Sequence, residues 1–228
     1  MSYSDRQIIK TGIENGVFQD VGVSISPIDL KRVVRRKMSK QKRNTYKPRK
    51  DNRYLTGRKY ADFLIYMEKN PNAKVVEMDM VYNDVSNGPF LQTFKFREYD
   101  LLICIYQTVK DSLHMLDGIL LLEKILGKEM FEKEVEVILT DRGSEFILAE
   151  EAEIREDGTR RTRMFYCDSM ASWQKGSLEN VHLLVREICP KGCDLHALGL
   201  TSQEKANLIS IHINSYPKEK LYGRSSIQ

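Results

Sequence analysis

No apolar run in the 228-residue sequence is long enough to span a membrane, which excludes a helical membrane protein on the residues given. The opening "MSYSDRQIIK" lacks the apolar core of a secretion signal, so the expected location is cytoplasmic, with the nucleoid as the alternative compartment. Cysteine is scarce: Cys104, Cys167, Cys189 and Cys193 are expected to be free thiols in a reducing compartment. There is no internal repeat and no low-complexity tract. What remains is a chain with 41% hydrophobic and 30% charged residues, long enough for one sizeable core.

The net charge of +4 hides an asymmetry. Between Lys31 and Tyr60 there are 14 Lys or Arg against one acid, Asp51, while the other 198 residues hold 22 bases and 31 acids. A mildly acidic body with a dense basic arm points to a polyanionic partner. The run interleaves Tyr46, Tyr54 and Tyr60 with its bases, a mixture suited to neutralising phosphates and touching sugars or bases. A solvated tail is the alternative for any basic run.

A helical pattern starts at Tyr60 (Phe63, Leu64, Tyr66, Met67) and stops at "NPNA". "AKVVEMDMVYNDV", "FLQTFKFRE" and "DLLICIYQTV" read as a three-stranded antiparallel meander. A helix over 112–126 follows, with Leu116, Ile119, Leu120 and Leu122 inward and Gly127 as its stop. "VEVILT" is a buried strand ending at Asp141, and Asp157-Gly158 is a hairpin signal. "LENVHLLVREI" is a helix with Leu178, Val181, Val185 and Ile188 at helical spacing. Thr201 and Glu204 read as a capping box for a last helix reaching about Ile213. The order is mixed α/β.

In "ILTDRGSEF", residues 138–146, Asp141 ends a strand and the chain turns through Arg142 and Gly143. An Asp-Gly turn explains this locally: the carboxylate bonds its own backbone and glycine relieves a tight φ. Asp79, mid-strand between Met78 and Met80, and Glu179, in the first turn of a helix, have local explanations too. Asp79 argues hardest for chemistry, because a buried acid without a cation is costly. Adjacent strands with a crossing helix bring all three to one place, where mutual repulsion calls for divalent cations. Oxygen-only ligands favour Mg²⁺ or Mn²⁺, and two such ions about 4 Å apart suit an in-line phosphoryl displacement. His182, Cys189, Cys193 and His196 form H-x6-C-x3-C-x2-H, but this matches no common zinc finger and no zinc is expected.

Six stretches carry a family resemblance: "GRKYADFL" (57–64), "VVEMDMV" (75–81), "VILTDRGSEF" (137–146), "RRTRMFYCDSMASWQKGSLEN" (160–180), "PKGCDL" (190–195) and "HINSYPKEKL" (212–221). In this order, over roughly 25–221, the chain resembles the catalytic part of bacterial DDE-type insertion-sequence transposases, most of all the insertion-sequence family numbered thirty. The resemblance implies a ribonuclease H-like integrase core: a mixed sheet of three antiparallel strands plus parallel strands, flanked by helices. It implies Asp79, Asp141 and Glu179 as catalytic and metal-binding residues, with 37 residues between the last two. It also implies DNA cleavage and strand transfer with two Mg²⁺ or Mn²⁺ ions, water or a 3′-hydroxyl as nucleophile, and no covalent protein–DNA intermediate.

The implied partners are DNA, as transposon ends and target, and further copies of the chain on that DNA. Candidate DNA contacts are Lys175 on a phosphate, Trp173 stacking on an unpaired base, Arg186, and Arg35, Arg36, Lys37, Lys42, Arg43, Lys47, Arg49 and Lys50 in the arm. Asn180 is a candidate support for the metal site. The expected organisation is a partly disordered basic arm over 1–60, a core over 61–216 and a shortened tail over 217–228. Departures from the family pattern are Arg142 for a usual Asn, Met80 for a usual Thr, the stretch over 86–116, and no counterpart of the end-reading helix-turn-helix. These leave two rivals: a hydrolytic nuclease of the same fold, and a catalytically inactive DNA-binding remnant.

Overall fold

The strand "VVEMDMV", β1 (Val75–Val81), is buried on both faces because both are covered. Val76, Met78 and Met80 point to one layer; Val75, Glu77, Asp79 and Val81 point to the other. In this computed structural model the described residues are 52–83 and 88–227, all within the unit Asp51–Gln228. β2 (Phe90–Phe96) and β3 (Leu101–Gln107) complete the antiparallel meander, and Asp79 stands opposite Thr93. β4 (Val137–Thr140) and β5 (Arg163–Tyr166) add on the other side of β1, both in parallel pairing. The sheet order β3-β2-β1-β4-β5 is the ribonuclease H-like arrangement expected above.

Helices cover both faces. On one side lie α2 (Ser112–Leu126), α3 (Lys128–Glu134) and α4 (Ala149–Glu153), where Met115, Ile119, Leu122 and Phe131 pack on Met78, Phe94 and Ile105. On the other side α1 (Tyr60–Lys69) covers β4 and β5 through Phe63, while α5 (Gly176–Ile188) and α6 (Gln203–Asn214) cover β1, β2 and β3. Leu178, Val181 and Val185 on α5 are fully buried, each contributing roughly 1.5–3 kcal/mol of apolar burial. That packing seats the helix against the sheet.

Several local expectations are corrected. Leu120 is exposed because Gly118 lies against the sheet in its place, and Leu64 is exposed because α1 makes its contact through Phe63 with Tyr60, Tyr66 and Met67 packed beside it. Gly118 leaves no room for a Cβ, since Gln92 and Gln107 crowd it. Ser202, not Thr201, is the N-cap of α6, so the Thr201–Glu204 box does not form. The Asp157-Gly158 turn exists, but it closes one bridge, Ile154 to Arg160, rather than a hairpin ladder. Residues 52–59, expected as the end of the arm, belong to the core: Leu55 is buried and Arg58 pairs with Glu153. Gly127 does end α2, in the left-handed region at φ 78°.

The tail over 217–227 is also packed, with Lys220 Nζ donating to Arg97 O and Ser226 Oγ donating to Asp100 O. No helix among the described residues is long and apolar enough to cross a membrane.

Candidate active site

β1 and β4 run side by side with Glu77 opposite Leu139, so the same register two residues on sets Asp79 beside Asp141. Both acids stand toward the carboxyl ends of parallel strands, where open α/β sheets leave a crevice. Glu179 enters from the first turn of α5. The three acids line one cleft of about 300 Å³, with Cys167, Asp168, Met170, Ala171, Ser172 and Lys175.

Each aspartate is aimed by a backbone amide. Met80 N donates to Asp79 Oδ1 at 2.7 Å, and Gly143 N donates to Asp141 Oδ1 at 2.7 Å. Gly143 has φ −59°, an ordinary value, so relief of φ is not its purpose. Its role is space: a Cβ there would lie 2.7 Å from Glu145 Oε2 and 2.9 Å from Asp141 Oδ1.

The second oxygens turn toward Lys175. Its ammonium lies 2.8 Å from Asp79 Oδ2 and 3.9 Å from Asp141 Oδ2, and the residue is only 2% exposed. Burial works against this charge, but the two carboxylates outweigh it and hold the ammonium above the usual lysine range. Burial raises the Asp141 carboxyl, with Asp79 adding and Lys175 opposing. Glu179 is raised by burial first and by Asp79 next. Because 47% of the Asp141 side chain stays open to the cleft, its burial is that of a pocket floor rather than a sealed core. One cation against three acids leaves the cleft short of positive charge.

Arg142 does not compete for Asp141. Its guanidinium pairs with Asp168 Oδ1 at 2.7 Å, while Gln174 Nε2 donates to Asp168 Oδ2 and Gln174 Oε1 accepts from Asp168 N. These bonds close the loop from Asp168 to Lys175 over the cleft. A second clamp lies beneath it. Glu77, 1% exposed, accepts from Arg97 Nε at 2.6 Å and from the Leu178 amide at 2.5 Å, fixing the start of α5 to β1. Arg97 also donates to Gln174 O.

Sequence reasoning missed Glu77, Arg97, Asp168 and Gln174. The one available signal was Glu77, an acid two residues before Asp79 on the same strand face.

Trp173 is 72% exposed beside the cleft and meets Tyr60 edge-on at 6.2 Å. Arg186 lies outside the cleft lining; it donates to Asn83 Oδ1, Tyr82 O and Cys189 O, tying α5 to the end of β1. Asn180 is exposed and does not line the cleft. The arm residues Arg35, Arg36, Lys37, Lys42, Arg43, Lys47, Arg49 and Lys50 lie outside the described residues.

His182 is bonded to Thr93. The Thr93 hydroxyl donates to Asp79 O, so the ring Nε2–H donates to Thr93 Oγ1. Burial pushes the imidazole down to about 4, leaving it neutral. Cys189 is buried and Cys193 exposed. Among the described residues, no three His, Cys, Asp or Glu side chains converge as a ready chelate. A larger cleft of about 840 Å³, along Asn83, Tyr106, Cys193 and His196, lies away from the three acids.

No protein-family model matches the chain. Over 88 residues it is 34% identical to the transposase for insertion sequence element IS1086 of Cupriavidus metallidurans, a stretch that is 39% of this chain. Among solved structures, the catalytic core of HTLV-2 integrase, determined with magnesium, is 15% identical over 68% of this chain and 93% of its own, at a TM-score of 0.42. The core of BIV integrase is 14% identical over 67% and 90%, at 0.45. The chain is therefore similar in sequence to part of a transposase, and the matched stretch spans 24% of that relative's length.

Proposed function

We propose that the chain carries the catalytic part of a DDE-type transposase, of the insertion-sequence family numbered thirty, that cuts DNA strands and joins them to a target. The observation that carries this reading is the one cleft that Asp79, Asp141 and Glu179 all line, beside an exposed tryptophan. Asp79, Asp141 and Glu179 would hold the divalent ions, and the donor set fits: hard oxygens only, with acids in excess over cations. Bound Mg²⁺ or Mn²⁺, two ions in all, would supply activation of the attacking oxygen and stabilisation of the leaving one.

The chain's own residues do the rest. The amides of Met80 and Gly143 hold the two aspartates in fixed orientation, and Glu77 holds the helix start that carries Glu179. Trp173 offers a face for an unpaired base, and Lys175 a charge for a phosphate. The basic stretch over 31–50 would neutralise the DNA backbone, with the unit Asp51–Gln228 acting as a multimer on the transposon ends and target.

The test is incubation of the chain with DNA carrying the flanking element ends, with and without Mn²⁺. Nicked and joined products are expected with the ion. Asp79→Asn, Asp141→Asn and Glu179→Gln should each lower both by about 100-fold or more. Hydrolysis without joining would make the chain a nuclease, and full activity in Asp79→Asn would sink the triad assignment.

A further inference from the structure

Asp79 and Asp141 each have one oxygen tied to the main chain. Asp79 Oδ1 is taken by Met80 N, and Asp141 Oδ1 by Gly143 N. The oxygens left over are the two Oδ2 atoms, and Lys175 Nζ stands between them at 2.8 and 3.9 Å. Among the described residues it is the one cation paired with either acid. A divalent ion bound by Asp79 and Asp141 needs the oxygens the ammonium already holds, and two cations that close repel.

We propose that Lys175 is a resident counter-ion of the Asp79–Asp141 pair, displaced by the incoming divalent ion and thereby released to take a phosphate of the DNA. The inference rests on the metal-site reading given under the proposed function.

Two features of the chain suit this exchange. Lys175 closes the short 3-10 helix Ser172–Lys175, next to Gly176, and its long flexible stem lines the same cleft as the acids. With the ion absent, the ammonium relieves the repulsion between two neighbouring carboxylates, so the pocket stands without metal. With the ion present, that charge turns toward the substrate, so ion binding and DNA binding favour each other.

The experiment measures Mn²⁺ affinity, by calorimetry or by the electron paramagnetic resonance of free Mn²⁺, for the full chain and for Lys175→Gln. The variant is expected to bind Mn²⁺ at least tenfold more tightly without DNA, and to melt at lower temperature than wild type only in the absence of the ion. A short duplex should tighten Mn²⁺ binding to wild type and leave the variant unchanged. Equal or weaker Mn²⁺ binding by Lys175→Gln overturns the counter-ion role while leaving the metal site standing. Mn²⁺ binding that is absent, or indifferent to Asp79→Asn, overturns both.

A second readout needs no variant. Reductive methylation of the wild-type chain, read by mass spectrometry, should label Lys175 faster with Mn²⁺ than without it. Labelling that is unchanged or slower with Mn²⁺ overturns the release.

Discussion

Arg97 Nε lies 2.6 Å from Glu77 Oε1, a charged pair in which the acid is 1% exposed and the base keeps a third of its side-chain surface in water. The asymmetry sets an order of cost. Arg97→Met strands a buried carboxylate and is expected to destabilise the chain by about 3–5 kcal/mol. Glu77→Gln keeps an acceptor for the Leu178 amide and leaves an arginine that can turn to solvent, at about 1–3 kcal/mol. Urea unfolding of both variants checks this; the reverse order would mean that the Leu178 amide, not Arg97, is the partner that satisfies the Glu77 carboxylate.

Gly143→Ala separates aim from stability. The new Cβ would press on Asp141 and on Glu145, and Glu145 is held in turn by Lys110 at 2.9 Å. The turn must shift, and a carboxylate displaced by about 1 Å loses on the order of 100-fold in DNA cleavage. Overpacking in this partly open turn should cost about 1–2 kcal/mol. Cleavage assays beside melting curves test the split, and wild-type activity in Gly143→Ala would remove the spatial argument.

Arg142 and Asp168 should couple weakly. Both side chains reach solvent, so a double-mutant cycle with Arg142→Ala and Asp168→Ala is expected to give about 0.5–1 kcal/mol, shrinking at 1 M salt. The same variants loosen the loop carrying Trp173 and Lys175, so DNA affinity should fall more than stability does. Fluorescence of Trp173, the single tryptophan, reports that loop directly. Unchanged emission in Arg142→Ala would contradict the clamp.

His182 gives the fold an acid-sensitive element. Burial holds its folded form at about 4 against an ordinary 6.5. Between those values the unfolded chain binds a proton that the folded chain does not, so stability falls as pH drops through this window and is regained above it. The full effect is on the order of 3 kcal/mol. Asp141 and Glu179, held above the usual carboxylate range, act in the opposite sense, so the comparison must be with a variant. In metal-free buffer His182→Gln should lose less stability than wild type between pH 7 and pH 4.5. Equal losses would exclude His182 as the cause.

β1 to β4 were legible because they are buried and read as near-continuous apolar runs, as "VVEMDMV" and "VILT" do, whereas β5 follows a turn that suggested a hairpin and pairs in parallel with β4 instead. α5 was legible because Leu178, Val181 and Val185 repeat at helical spacing. The three acids fall in one cleft as their strand ends and helix start suggested. The clamps around them were not legible. Lys175 is almost fully buried, a rare state for lysine, and only the tertiary placement of Asp79 explains it. Glu77 looked like one more acid on a strand, since nothing local announces Arg97 twenty residues later or the Leu178 amide about a hundred later. α3 and α4 are short and closely follow other elements, so periodicity had too few turns to register. Ser202 stands at the N-cap position one step after Thr201 and makes no side-chain cap bond, so the hydroxyl pattern did not fix the helix start.

The amides that orient the two aspartates belong to positions 80 and 143. A main-chain N–H survives every substitution except proline, so the direction of Asp79 does not depend on which side chain follows it. The methionine side chain at position 80 therefore takes no part in aiming that carboxylate. At position 143 the constraint is one of volume beside the carboxylate, whereas Met80 answers to the core it packs in. Around this cleft the main chain sets the bearing of each acid, and the side chains that follow are held by packing instead.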